Sequence, residues 1–254
     1  MKRLVLDVGN TRTSAGVFEN GEMDVQWRIT TVHWTADDLW VILRSLLKTD
    51  ECGLPDGLAF ACVVPQVRHS IMNLGRRYLN VEPLEVTAET AGIDVHYHYP
   101  HELGGDRLAN AAAAIDLGEL PAIVVDFGTA TTFDVVSSSG EYMGGAISPG
   151  VGTAAAELFK KAEKLNPVDL EFPSSCLGRD TSHAVRAGVL LGASGSTDYI
   201  VECLACEMED RPRVLATGGW AYGIAKRCKT EMEVIPELTL KGIEIIGERN
   251  FNER

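Results

Sequence analysis

LVLDVGNTRTSAGVF, residues 4–18, and AIVVDFGTATTFDVV, residues 122–136, follow one plan. In each, an apolar run that reads as a buried strand stops at an acid, enters a glycine turn with Asn or Thr, and resumes as a second strand. Aligned on the acid, Asp7 meets Asp126, Gly9 meets Gly128 and Thr13 meets Thr132, while few other positions agree. The likeness lies in pattern, and it extends outward from each copy. In the first half, 3–8, 13–19 and 23–29 read as strands and 36–48 as an amphipathic helix, after which 57–63, 66–79, 83–86 and 106–116 alternate strand and helix. In the second half, 122–127, 131–136 and 141–147 are strands, 151–164 and 181–209 are helical, and 213–217, 220–227, 233–236 and 238–249 alternate again. Two runs of βββαβαβα predict two α/β domains of mixed sheet with helices on both faces. The expected division is 1–114 and 115–254, within the Ala-rich helix or near the LGELP loop (117–121) that follows it. The two acid–glycine turns would then face each other across a cleft.

The bulk properties suit a soluble protein, with 45% hydrophobic and 23% charged residues. No apolar run approaches the ~20 residues needed to cross a bilayer. Asp7 interrupts the N-terminal apolar run before a signal-peptide core can form, so a cytoplasmic setting is expected. The six scattered cysteines agree with a reducing compartment. Cys203 and Cys206 form a CxxC inside a helical pattern and read as packing residues, because a zinc site would want a second ligand pair. A net charge of −13 argues against a nucleic-acid partner, since phosphate neutralisation supplies most of that affinity. Small anions remain possible ligands, because they need only local donors.

DVGNT (7–11) can be read in two ways. It is good hairpin-turn chemistry. It also offers close backbone approach at Gly9, side-chain donors at Asn10 and Thr11, and an acid, Asp7, able to hold a hydrated Mg2+ near bound phosphate. DFGTATT (126–132) repeats the arrangement, which favours two turns gripping one polyphosphate. No P-loop pattern occurs anywhere in the chain. ATGGW (216–220) and MGGAISPG (143–150) are further glycine turns leading into helices, each weak by itself. HYHYPHELGGDR (96–107) holds three of the six histidines. In an extended stretch His96 and His98 point away from Tyr97, and no third metal ligand is assured.

In order and spacing, DVGNT, YxxPxxLGGDRxxNAxAA (97–114), DFGTATT, GGAISPG (144–150), LGRDTSHAVRAG (177–188), ATGG (216–219) and LTLKG (238–242) resemble the type III pantothenate kinases. The likeness runs from Asp7 to about Asn250. It implies two ribonuclease-H-like domains of the actin-like, acetate and sugar kinase superfamily, and a homodimer. It also implies transfer of the ATP γ-phosphate to the primary hydroxyl of pantothenate, with Mg2+ and a monovalent cation, K+ or ammonium. By position, Asp7, Val8, Gly9, Asn10, Thr11, Arg12, Thr13 and Ser14 would form the phosphate-binding run, and Thr129 would contact ATP. Gly104, Gly105, Asp106 and Arg107 would meet pantothenate, with Asp106 as general base, and Tyr97 and Thr181 would line its site. Asp126 would hold the monovalent cation.

Arg107 could pair the pantothenate carboxylate or help hold Asp106 ionised. Asp106 could equally serve as a cap for the Ala-rich helix. Gly105 stands where the family commonly has Ala, which should loosen the turn. The segment from Thr181 to Met208 is expected to form much of a dimer interface. Two other readings share the fold: a non-catalytic transcriptional accessory factor, and a kinase or phosphatase acting on a sugar or acetate.

Overall fold

The computed structural model describes residues 1–118 and 120–252. The chain opens with β1 (Lys2–Val8), β2 (Arg12–Glu19), β3 (Glu22–Thr30) and α1 (Ala36–Thr49), then runs through β4 (Gly57–Cys62), α2 (Pro65–Leu74), β5 (Leu84–Glu85) and α3 (Gly105–Leu117). It repeats with β6 (Ala122–Phe127), β7 (Ala130–Val136), β8 (Tyr142–Pro149) and α4 (Val151–Lys161). After α5 (Thr181–Arg186) and α6 (Gly192–Cys206) come β9 (Arg213–Thr217), α7 (Ala221–Ala225), β10 (Glu233–Val234) and α8 (Leu238–Asn252). The helical stretch expected over 181–209 is present as α5 and α6 joined by a π turn, Ala187–Leu191.

The strand orders are β3-β2-β1-β4-β5 and β10-β9-β6-β7-β8. Read in opposite directions they are the same order, so the repeat seen in the sequence is a repeat of topology. In each sheet the central strand pairs antiparallel with the next strand of the chain and parallel with the strand beyond the first crossover.

Period-two alternation divides β1 between two layers. Leu4, Leu6 and Val8 join a core with Leu39 and Leu43 of α1 and Val67 and Ile71 of α2. Val5, fully buried, and Arg3, 2% exposed, belong to the opposite face. That face is covered by α3 and by α8 from the far end of the chain. The second sheet has its own core, including Ile123, Val125, Phe133 and Leu190.

The compact units are Met1–Gly118 with Glu237–Arg254, and Glu119–Pro236. A simple cut at 114/115 therefore misplaces the last helix; Glu119, inside the expected boundary loop, lies outside the described residues. The physical reason is the mate that α8 finds. Gly242 lets the two helix backbones touch, since a Cβ there would sit 2.9 Å from the Ala109 Cα and nearer still to its carbonyl. The Thr239 hydroxyl donates to Asn110 Oδ1 at 2.8 Å. Arg3 Nε donates to both carboxylate oxygens of Glu244, at 2.8 and 3.0 Å, and Nη2 closes the fork on Oε1. Both side chains are almost fully buried.

Breaking such a pair leaves an uncompensated buried charge, whereas replacing both members by apolar groups is often neutral or better. Glu244→Ala should lower unfolding stability in denaturant by about 3–5 kcal/mol. Arg3→Met combined with Glu244→Leu should regain most of the loss. A single variant within about 1 kcal/mol of the parent would show that the pair does not hold α8.

Candidate active site

In open α/β sheets, ligands bind beyond the carboxyl ends of the parallel strands. In the first unit β1 and β4 are parallel, with Asp7 beside Ala61 and Val8 beside Cys62. Past that edge the chain turns tightly into β2. Gly9 N–H donates to the Arg12 carbonyl at 3.1 Å, and Thr31 N–H ties Thr11 to the sheet at 3.0 Å. Asn10, Thr11 and Arg12 are exposed there, and Asp7, Gly9 and Ser14 keep partial access. Val8 and Thr13 differ, since both side chains are enclosed and the Thr13 hydroxyl bonds that of Thr31 at 2.9 Å. These two residues can offer a ligand only their main chain.

The start of α3 is seated on the same edge. A Cβ on Gly105 would lie 2.6 Å from the Val86 carbonyl oxygen and 3.3 Å from the Ala61 Cβ. Ala61 is the register neighbour of Asp7. The expectation that glycine loosens this turn is therefore corrected, because here glycine permits close packing that alanine would push apart. Asp106 follows in the first turn of the helix, and its Oδ1 accepts from the Arg107 N–H at 2.9 Å. Burial is the largest influence on its carboxyl and pushes its pKa above the ordinary carboxylate value; the Arg107 N–H and charge oppose that rise. The side chain nevertheless keeps partial contact with solvent, so a reactant can reach it.

Arg107 is 6% exposed and Asn110 fully buried. Tyr97, 38% exposed, lies on the segment that leads through a short turn at Pro100–Glu102 into this helix. His96, His98 and His101 are all exposed. Among the described residues, no group of three or more His, Cys, Asp or Glu converges as a metal site.

The second unit builds its own version of this edge. Asp126, one residue before the end of β6, stands between Thr132 of β7 and Thr217 of β9. Gly218, at φ +92°, brings the end of β9 onto that turn: a Cβ there would press on Asp126 Oδ1 and sit 2.7 Å from the Phe127 backbone. Thr129 is exposed, and its carbonyl accepts from Thr153 Oγ1 at 2.6 Å and from Gly150 N–H at 3.1 Å. A carboxylate among main-chain oxygens of close-packed turns is a donor set suited to a hard cation.

Thr181 is not at this turn. It opens α5, whose cap Asp180 accepts from the His183 N–H at 2.8 Å, and it lines a cavity of about 760 Å³ with Thr131, Ser148, Leu158 and Val185. The sequence did not reveal that cavity, because its lining is small and apolar residues drawn from β7, β8, α4, α5, α6 and the segments between them.

The packing reading of the CxxC is overturned, since Cys203 and Cys206 are both exposed. The buried stripe of α6 runs through Ser194, Thr197 and Val201, and the two thiols fall off it. A further polar feature went unread. Arg68 in the first turn of α2 is paired with Glu85 at the end of β5. The partners are 17 residues apart and form no local motif.

The type III pantothenate kinase family profile matches residues 3–203. A type III pantothenate kinase of Desulfatibacillum aliphaticivorans is 42% identical over 254 residues, covering 98% of this chain and 99% of that one. Another, from Roseiflexus sp. (strain RS-1), is 42% identical over 253 residues, with 97% and 98% covered. Among solved structures, a protein described as a Baf family transcriptional activator from Campylobacter jejuni superposes with a TM-score of 0.63 at 18% identity, covering 98% and 99%. The ROK hexokinase of Thermus thermophilus reaches 0.57 at 13% identity, with both chains covered fully. At those identities the two structures establish the fold alone, that of the sugar kinases. The two curated relatives and the family profile go further: this chain belongs to the type III pantothenate kinase family.

Proposed function

We propose that this protein transfers the γ-phosphate of ATP to the primary hydroxyl of pantothenate, the first step toward coenzyme A. The observation that carries the reading, beside family membership, is Asp106. It is an accessible carboxylate with a raised pKa, on the same sheet edge as Asp7 and its glycine turn. Phosphoryl transfer is mostly positioning and charge stabilisation, so the acceptor hydroxyl needs one base within hydrogen-bond reach to take its proton late. A raised carboxyl pKa makes Asp106 a stronger base than an exposed Asp. The bond from the Arg107 N–H fixes the orientation of the carboxylate.

On this reading, the run from Asp7 to Ser14 lies along the phosphates, with the exposed turn residues Asn10, Thr11 and Arg12 foremost in binding their oxygens, and Thr129 also contacts ATP. Tyr97, Gly104, Gly105, Arg107 and Thr181 serve pantothenate. Asp7 would hold Mg2+, and Asp126 the monovalent cation, K+ or ammonium. These cations supply positive charge that offsets repulsion between the phosphates and the carboxylates. We also infer a cytoplasmic homodimer. Six free cysteines accord with a reducing compartment. Tyr199, 68% exposed on α6, and Leu158 on α4 leave apolar surface that a second copy would cover. The regulator reading rests on fold likeness alone and is not favoured.

Pantothenate-dependent ADP release with Mg2+ and K+ tests the activity, and its absence would sink the proposal. Asp106→Asn should keep nucleotide affinity, measured by calorimetry, while turnover falls by about 10² or more; near-normal turnover would remove Asp106 from the base role. The variant should also melt no lower than the parent at neutral pH. A carboxylate whose folded pKa is raised loses stability as pH rises through that pKa, and Asn avoids the penalty. The pH profile of kcat/KM should carry an acid limb above the ordinary Asp value of about 4, because activity is lost as falling pH protonates the base. Asp106→Asn should abolish that limb.

A further inference from the structure

We propose that Asn110 is a positioning residue for the phosphoryl transfer, its spare amide N–H donating to the carboxylate of Asp106 while the acceptor hydroxyl is bound. The inference rests on the kinase reading above, and three features of Asn110 and its surroundings lead to it.

The first is an amide only half used. Asn110 is fully buried on α3, among Leu108, Ala109, Ala111, Ala112 and Ala113. Its Oδ1 accepts from the Thr239 hydroxyl at 2.8 Å, while its Nδ2 has no hydrogen-bond partner among the described residues. An enclosed donor without an acceptor costs stability, and nearly all such groups in native proteins are met. The bond to Thr239 does not account for that cost, because any oxygen acceptor would serve the hydroxyl. What the amide adds is a donor.

The second is its place on the helix. Asn110 follows Asp106 by four residues within α3, so the two share a face, with Cβ atoms about 5–6 Å apart. Helical side chains lean toward the N-terminus, which tips the amide toward the turn that carries Asp106. At that spacing an amide and a carboxylate meet by side-chain rotation alone. The helix beneath them is fixed, since a Cβ on Gly242 of α8 would sit 2.9 Å from the Ala109 Cα. Thr239, three residues earlier, holds the other half of the amide.

The third is how Asp106 is held. Its Oδ1 accepts from the Arg107 N–H at 2.9 Å and lies where a Cβ on Gly104 would press on it. Two carboxylate oxygens offer about four acceptor sites, enough for a further donor and the acceptor hydroxyl together. Arg107 is the charged group that bears on Asp106. On the elements around α3, Glu244 is engaged by Arg3, Glu85 by Arg68, and Lys241 by Glu237 at 3.2 Å. Burial pushes the Cys62 thiol up, and Asp7 stands beside Ala61. The amide of Asn110 is thus the donor at hand. Hydrogen bonds of a catalytic group are often unmade in an empty site and close in the complex. In the transfer, the alcohol proton passes to an Asp106 oxygen as the new O–P bond forms and the bond to ADP breaks. Asn110 exchanges no proton and fixes the direction of the carboxylate.

The test uses the full chain, its Thr239→Val variant, and Thr239→Val combined with Asn110→Ala. Thr239→Val removes the bond between α3 and α8 and keeps the donor, so kcat should stay within about twofold of the parent. Adding Asn110→Ala should lower kcat by about tenfold more, the scale of one hydrogen bond to a charged group, with KM for both substrates within about twofold. The acid limb of kcat should also move up by about one pH unit, because loss of a donor disfavours the ionised carboxylate and falling pH then protonates the base sooner. If the alanine variant does not fold, Asn110→Leu in the same background fills the space and carries the same expectations. A double variant that matches Thr239→Val in kcat and acid limb overturns the proposal. So does a Thr239→Val variant that loses as much as the double, which would assign the effect to the bond between the helices. A parent inactive on pantothenate sinks the kinase reading and this inference together, whereas an active parent with an indifferent double variant sinks the inference alone.

Discussion

A strand that is paired along both edges and covered on both faces has one place left for a working charge, its end. β1 and β6 are such strands, and each is buried over its length until it reaches an aspartate. Because one neighbour is antiparallel and the other parallel, the exit from the strand is a tight turn on one side and a crossover on the other. The turn crowds backbone N–H groups beside the acid, and the crossover brings helix starts to the same edge. Asp7 with its loop, and Asp126 with its loop, are the same solution to the same constraint, reached once in each unit.

The second constraint is desolvation. Asp106 begins a helix pressed against Ala61 and Val86, and that enclosure raises its pKa. The carboxylate is costly to hold ionised, and the energy appears as basicity towards a proton that an alcohol gives up reluctantly. The glycine before it is a part of this arrangement, because it is what lets α3 sit so near the sheet. Gly218 does the corresponding work in the second unit, where it closes the end of β9 over Asp126.

Much of this was legible in the sequence because it is local. Strand periodicity, the acid at each strand end and the glycine turns all lie within a dozen residues of one another, and their repetition made the reading firm. What escaped was set by distant partners. The ownership of α8 depends on Arg3 meeting Glu244 across 241 positions and on Gly242 fitting Ala109. Whether Gly105 loosens or tightens its turn depends on a carbonyl 19 residues away, and no turn rule contains that. The cysteine pair was misjudged because a helical pattern shows which residues recur and not which side meets the core; Thr197 and Val201 claimed the buried side.

By itself the sequence determined the duplicated βββαβαβα order, the acids at the two strand ends and the family, because these depend on spacing along the chain. The tertiary structure decided which side chains of the phosphate run can reach a ligand, how strongly Asp106 is desolvated, and where Arg68 finds its counter-ion. Each of those is a matter of distance between segments far apart in sequence. Solvent access and electric field are sums over neighbours in space, and a chain acquires such neighbours only when it folds.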